Sequence, residues 1–218
     1  MRIGSLLGVL FCVGIVGAQQ SSTVHQTRKF YYAPGQSVLD QLRQSGGTSA
    51  EVIQVGAPPL IWLADDLTET ELNTRHADLV AIVRVVDKKG IFTPAADWVN
   101  SEVSATVVDV LKDASGKIRE GAALQFSESG GEAFHEHRRV RASLSWQQPF
   151  VVGKAYLIYA TFVGSGRIAV DDTAAYEVVG EQLVSLEESG EQPSSVRSFG
   201  ETVKEIRSKA HLPRRSPR

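Results

Sequence analysis

Between Leu79 and Val86 the chain reads LVAIVRVV, and only Arg84 interrupts the apolar run. A stretch this short and this rich in β-branched residues reads as a strand, and alternation along a strand puts its apolar residues on both faces. Such a strand is stable only with apolar cover on each side. The rest of the chain therefore has to supply both neighbouring strands and two covering layers.

The neighbours follow in order. Lys88-Lys89-Gly90 reads as a turn. Glu102 to Lys112 (EVSATVVDVLK) reads as a second long strand, with Val103, Ala105 and Val107 alternating on one face. At Val107-Val108 the apolar phase slips, which predicts a bulge and a bend of the kind a closing barrel needs. Ala123 to Ser127 places Leu124 and Phe126 inward. Phe134 to Leu144 is extended but highly charged, an exposed edge or a long loop. Ala155 to Val163 (AYLIYATFV) is rich in aromatic and β-branched residues, and Gly164-Ser165-Gly166 gives a hairpin turn after it. Arg167–Val170, Tyr176–Val179 and Gln182–Ser185 complete a set of short strands separated by turn signals, the pattern of a barrel or a sandwich.

The flanks differ in texture. Phe30-Tyr31-Tyr32 reads as a short strand or as an aromatic cluster docked on the main body, and Val52–Val55 as a short strand, with Val38, Leu39 and Leu42 on one side of a helical turn between them. Trp62 lies in an apolar run and is assigned to the core. Thr68 can cap a helix reaching Arg75, with Glu71 at the capping-box position. After Pro193, the residues Val196, Phe199, Val203, Ile206 and Ala210 form one apolar stripe at helical spacing, capped by Ser194 or Ser195. This amphipathic helix should lie against the barrel or close its end. Residues 211–218 (HLPRRSPR) read as a flexible basic tail.

The first eighteen residues, MRIGSLLGVLFCVGIVGA, carry a positive start, an apolar centre and a small-residue ending. That is the grammar of a secretory signal peptide, and the apolar run is too short to span a bilayer core of about 30 Å. The organisation expected is a signal peptide (1–18), an N-terminal extended and helical segment (19–75), a barrel with its helix (76–210) and the tail (211–218). The protein is then exported, periplasmic or extracellular, with no transmembrane helix. Cys12 is the one cysteine and falls inside the leader, so cleavage after Ala18 leaves no thiol or disulfide chemistry. Lys plus Arg number 23 against 25 Asp plus Glu, a net charge of −2, which argues against a nucleic-acid partner.

The segments ADLVAIVRVV, VSATVVDVLKDASG, ALQFSESGG, PFVVGKAYLIYATF and AAYEVVGEQLVSL, followed by the helix from Val196 to Ile206, resemble a family of secreted bacterial proteins of mostly unassigned function built on an OB-like barrel. Their layout is similar to the netrin module of tissue inhibitors of metalloproteinases. The resemblance implies a mainly β chain with a small closed OB-like barrel. Barrels of that kind bind oligonucleotides, oligosaccharides or proteins.

Common catalytic and cofactor signatures are missing: there is no G-x-S-x-G, S-x-x-K, H-E-x-x-H, Walker loop, dinucleotide fingerprint or calcium loop, and no cofactor is expected. His135-Glu136-His137 is the one concentrated polar cluster. On a strand, His135 and His137 would share a face and could present two imidazoles to one metal, with Glu132, Glu128 or a distant histidine completing the set. A solvated charged edge is the other reading. Asp65-Asp66 and Asp171-Asp172 read as cap and turn residues rather than acid–base pairs. Trp98 and Trp146 flank loop-like segments and can line a binding surface. The favoured reading is an exported, non-enzymatic module that binds a protein or cell-envelope component through Trp98 and Trp146. Two alternatives stay open, a metal-dependent hydrolase using His135, Glu136 and His137, and an extracellular protease inhibitor acting by loop insertion.

Overall fold

The computed structural model describes residues 27–56, 67–164, 167–187 and 195–211. The expected signal peptide (residues 1–18), Trp62, Asp65-Asp66 and most of the expected basic tail lie outside these residues. In chain order the elements are β1 (Arg28–Tyr31), α1 (Val38–Gln44), β2 (Ser49–Gln54), α2 (Glu69–His76), β3 (Leu79–Phe92), β4 (Val99–Asp113), β5 (Ala123–Ser129), β6 (Gly131–His135), β7 (Arg138–Leu144), β8 (Ala155–Val163), β9 (Arg167–Val170), β10 (Tyr176–Val179), β11 (Gln182–Ser185), β12 (Val196–Ser198) and α3 (Phe199–Lys209). No described helix is long and apolar enough to cross a membrane.

Strand β3 is the double-faced strand that its sequence demands. Leu79, Ala81, Val83 and Val85 enter one core, and Val80 and Ile82 enter a second core on the opposite face. The large antiparallel sheet around it runs β12-β11-β10-β8-β3-β4-β5, with β9 on the far half of β8. The first core fills the concave side with Val103, Ala105, Phe126, Phe150, Tyr156, Ile158 and Ile168. On the convex side, α3 buries Val203 and Ile206 against Val80, Ile82, Leu157 and Tyr159.

Val196 belongs to β12 and is exposed, so the helix begins at Phe199 with Ser198 as its cap. The helix therefore covers an outer sheet face and does not plug the end of a barrel. Closure also fails among the described residues. β5 and β9 meet through side chains, Ile168 in the core with Leu124 and Phe126, and Arg167 3.5 Å from Glu102. No ladder joins the two strands, and a slot of about 400 Å³ remains between them. The sheet is curled but open.

Bulges produce the curl. The β3–β4 register shifts at three places, leaving Val108 and Leu111 unpaired on β4 and Val86 on β3. The slip foreseen at Val107-Val108 is the first of these. Val107 stays buried while Val108 is 40 % exposed, so the extra residue is expelled outward.

Lys88-Lys89-Gly90 does not turn the chain, because β3 runs on to Phe92. Gly90 serves another purpose: a Cβ there would stand 1.9 Å from the carbonyl oxygen of Glu132. The missing side chain lets β3 press against β6 of a second, smaller sheet ordered β1-β2-β7-β6. In that sheet β2 pairs in parallel with both β1 and β7, so the segment before residue 76 shares a sheet with the charged 134–144 region. The charged region is a hairpin, with β6 at the edge and β7 inside. Helix α1, capped by Ser37, packs Val38, Leu39 and Leu42 on the inner face against Ala50, Val52, Val140 and Ala142.

The β3–β4 turn ties the two sheets together. Asp97 is buried there and accepts hydrogen bonds from Thr93 Oγ1 at 2.5 Å and Gly35 N at 2.7 Å. Those bonds, Thr93's first, hold its carboxyl below the ordinary carboxylate range.

Ile206→Ala should cost about 2–5 kcal/mol in denaturant melts, whereas Val108→Ser should change stability by no more than about 0.5 kcal/mol. A folded-state pKa lowered relative to the unfolded chain gives stability that is present above the unfolded value and is lost as pH falls through the folded one. Asp97→Asn should therefore flatten the acid side of a stability-against-pH profile; an unchanged acid limb would show that Asp97 does not drive it.

Candidate functional site

Strand β5 alternates Leu124, Phe126 and Glu128 on its buried face. The third position puts a carboxylate where the core pattern calls for an apolar side chain, and Glu128 is only 3 % exposed. A buried carboxylate needs a counter-charge and hydrogen bonds. Lys88 supplies the charge, with Nζ 2.5 Å from Glu128 Oε2. The amide of Phe150 donates to Oε1 at 2.9 Å, and Lys88 Nζ also donates to the Phe150 carbonyl at 3.1 Å.

The bulge at Val86 aims Lys88 at this partner. Val85 lies opposite Ala105 and faces the core; without the extra residue, Asp87 would come next on that face. With it, Lys88 lies opposite Val103 and faces inward instead. Phe150 holds its backbone groups in place by stacking edge-on between Phe126 and Tyr156, with centroids 5.2 and 4.7 Å away. The Tyr156 hydroxyl accepts from Val151 N at 2.8 Å, and burial pushes its pKa up to about 12, so it is a neutral phenol at physiological pH.

The ion pair forms part of a crevice of about 290 Å³ where the chain leaves the large sheet for the small one. Gly130 and Gly131 make that crossing with φ of 96° and 134°, a backbone that side chains rarely adopt. A Cβ on Gly131 would also stand 2.0 Å from Ser101 Oγ, which donates to the Gly130 carbonyl. Arg141 and Gln147 line the same crevice. Among the described residues, Arg141 has no ion-pair partner, and the buried Nε2 of Gln147 has no acceptor. The crevice thus sets Lys88, Glu128, Arg141 and Gln147 around one polar recess.

The residues singled out from sequence fall elsewhere. Trp98 is not on a binding surface: it is 5 % exposed, packs edge-on to Tyr32 at 5.1 Å and donates from Nε1 to Ser129 Oγ at 3.1 Å. It joins the large sheet to the small-sheet core. Trp146 is partly exposed in the turn after β7, and its ring lies over Gly56. His135 and His137 do not share a strand face. His135 ends β6, while Glu136 and His137 are the two turn residues of the hairpin, with φ of 45° and 65°. The intervening turn separates the imidazoles, and Glu136 is held by Arg43 at 2.8 Å, which lowers its pKa. No group of three or more His, Cys, Asp or Glu among the described residues is placed to hold a metal ion. Asp171 has the turn role read from sequence, capping a 3₁₀ turn by accepting from Thr173 N and Oγ1 at 3.2 and 2.7 Å.

Lys88 and Glu128 form a pair that the sequence reading did not make, although Glu128 stands in the inward phase of ALQFSE. No protein-family model and no curated protein matches the chain.

Removing one member of a buried pair leaves the other charge uncompensated. Lys88→Met should cost about 3–5 kcal/mol in denaturant melts, and Lys88→Met with Glu128→Leu should recover most of that loss. Additive losses in the double variant would mean that the two side chains do not act as a pair.

Proposed function

We propose that the chain is an exported, non-enzymatic binding module whose recognition site is the crevice between its two sheets. The observation that carries this reading is the buried Lys88–Glu128 pair at a solvent-open crevice that also presents Arg141 and Gln147. Buried charge contributes weakly to net stability, so its placement at a crevice speaks for recognition. Export rests on the three-part grammar of residues 1–18, and the partner is a protein or a component of the cell envelope. The curled run β5-β4-β3-β8-β9, with its apolar concave side, supports an OB-like reading of the large sheet, open on the β5–β9 side. Trp146 precedes Gln147 and gives the crevice an aromatic neighbour in the chain.

The test is capture from envelope extracts of the native host. The wild-type chain should retain a specific partner, and Arg141→Ala and Trp146→Ala should each lose it without a change in melting temperature. Capture that survives both substitutions would discard the crevice as the recognition site.

A further inference from the structure

The ligand class can be read from the charges that border the crevice. Register places Lys29, Glu51, Arg141 and Glu132 side by side across the small sheet, on one face. Lys29 lies 3.7 Å from Glu51, and Glu132 is taken by Arg139 at 2.5 Å, two residues before Arg141 on β7. Lys88 and Glu128 neutralise each other at the floor. Every carboxylate of this set is thus matched to a cation other than Arg141, which leaves one positive charge in excess. The excess charge is a guanidinium, a planar donor fork suited to two parallel hydrogen bonds from one carboxylate. The buried Gln147 Nε2 is a second donor lacking an acceptor among the described residues. Among the described residues, one guanidinium and one side-chain amide at this crevice are thus left without an acceptor.

Size narrows the ligand further. A crevice of about 290 Å³ lies at the small end of ligand pockets, which run upward from about 300 Å³, so it suits a ligand of one or two residues. Resting on the binding-module reading, we infer that the crevice holds a small monocarboxylate, its carboxylate clamped by Arg141 and a polar group beside it accepting from Gln147. Short peptides ending in a free carboxylate and hexuronic acids both have this chemistry, and direct titration separates them.

The experiment is a backbone amide NMR titration of the folded chain with three probes: N-acetyl-dialanine, its C-terminal amide, and methyl glucuronide, a glycoside that keeps its carboxylate free. At least one acid should shift Gly130, Gly131 and Ser143, and which acid binds tighter identifies the source of the carboxylate. The neutral amide should bind at least about tenfold more weakly than the parent acid. Arg141→Gln should lose the acid by about the same factor, and Arg141→Lys should retain part of the binding, with unchanged spectra far from the crevice in both. Equal binding of acid and amide would overturn the carboxylate assignment while leaving the crevice as a binding site. No crevice shift with either acid at millimolar concentration would also overturn it, and the module reading would then stand or fall on the capture experiment alone.

Discussion

A strand with no polar face has to be covered twice, and the architecture follows from meeting that condition at β3. The concave cover comes from the curled strands themselves, which bring Phe126, Tyr156, Ile158 and Ile168 over Ala81 and Val83. Helix α3 and its neighbours provide the convex cover over Val80 and Ile82. Because α3 occupies the outer face, it cannot close the curl. A network of charges fixes it there: Thr68 donates to Glu205 at 2.5 Å, and Glu71 joins Arg75 on α2 to Lys209 on α3. Lys209 and then Arg75 hold the Glu71 carboxyl below its ordinary range, so the clamp stays ionised at neutral pH.

Most of the strand content could be read from the sequence, since period-two alternation directly reflects one-sided burial. The start of β3 at Leu79, the alternation of Val103, Ala105 and Val107 on β4 and the Val107-Val108 bulge were legible in this way, and the Val38–Leu42 helix from its one-sided apolar spacing. What escaped were features decided by distant partners. Lys88-Lys89-Gly90 has the composition of a turn, but Gly90 answers to the carbonyl of Glu132, some forty residues later in the chain. Val196 fits a helical stripe, yet pairing with Val184 holds it in a strand. His135 and His137 obey the alternation rule only if no turn intervenes, and nothing in Glu136-His137 resembles the Asn-Gly that usually marks such a turn.

The site was harder to read than the fold for a related reason. Trp98 drew attention as a loop aromatic, but its indole has a hydrogen-bond partner in Ser129 and an apolar setting beside Tyr32, which suits an inter-sheet anchor. Glu128 was visible as an anomaly in the inward phase of β5. Its partner was not, because the Val86 bulge changes which side of β3 faces in, and a single-residue insertion in a ladder leaves no composition signal. Turn and strand punctuation is local, whereas the pairing of charges across a bulge depends on register.

The parallel pairing of β2 with β7 has a kinetic side. Ser49 to Gln54 have β1 on one side from the start, but can find their β7 partners only after Arg139 to Leu144 have been made. As the chain emerges from the ribosome, β1 and β2 precede every residue of β7, and α1 has little to pack on until then. The β3–β4 hairpin, by contrast, joins close neighbours in sequence and can form early. The first-made strands thus complete their sheet only when β7 is made, well after the β3–β4 hairpin has both of its strands in hand.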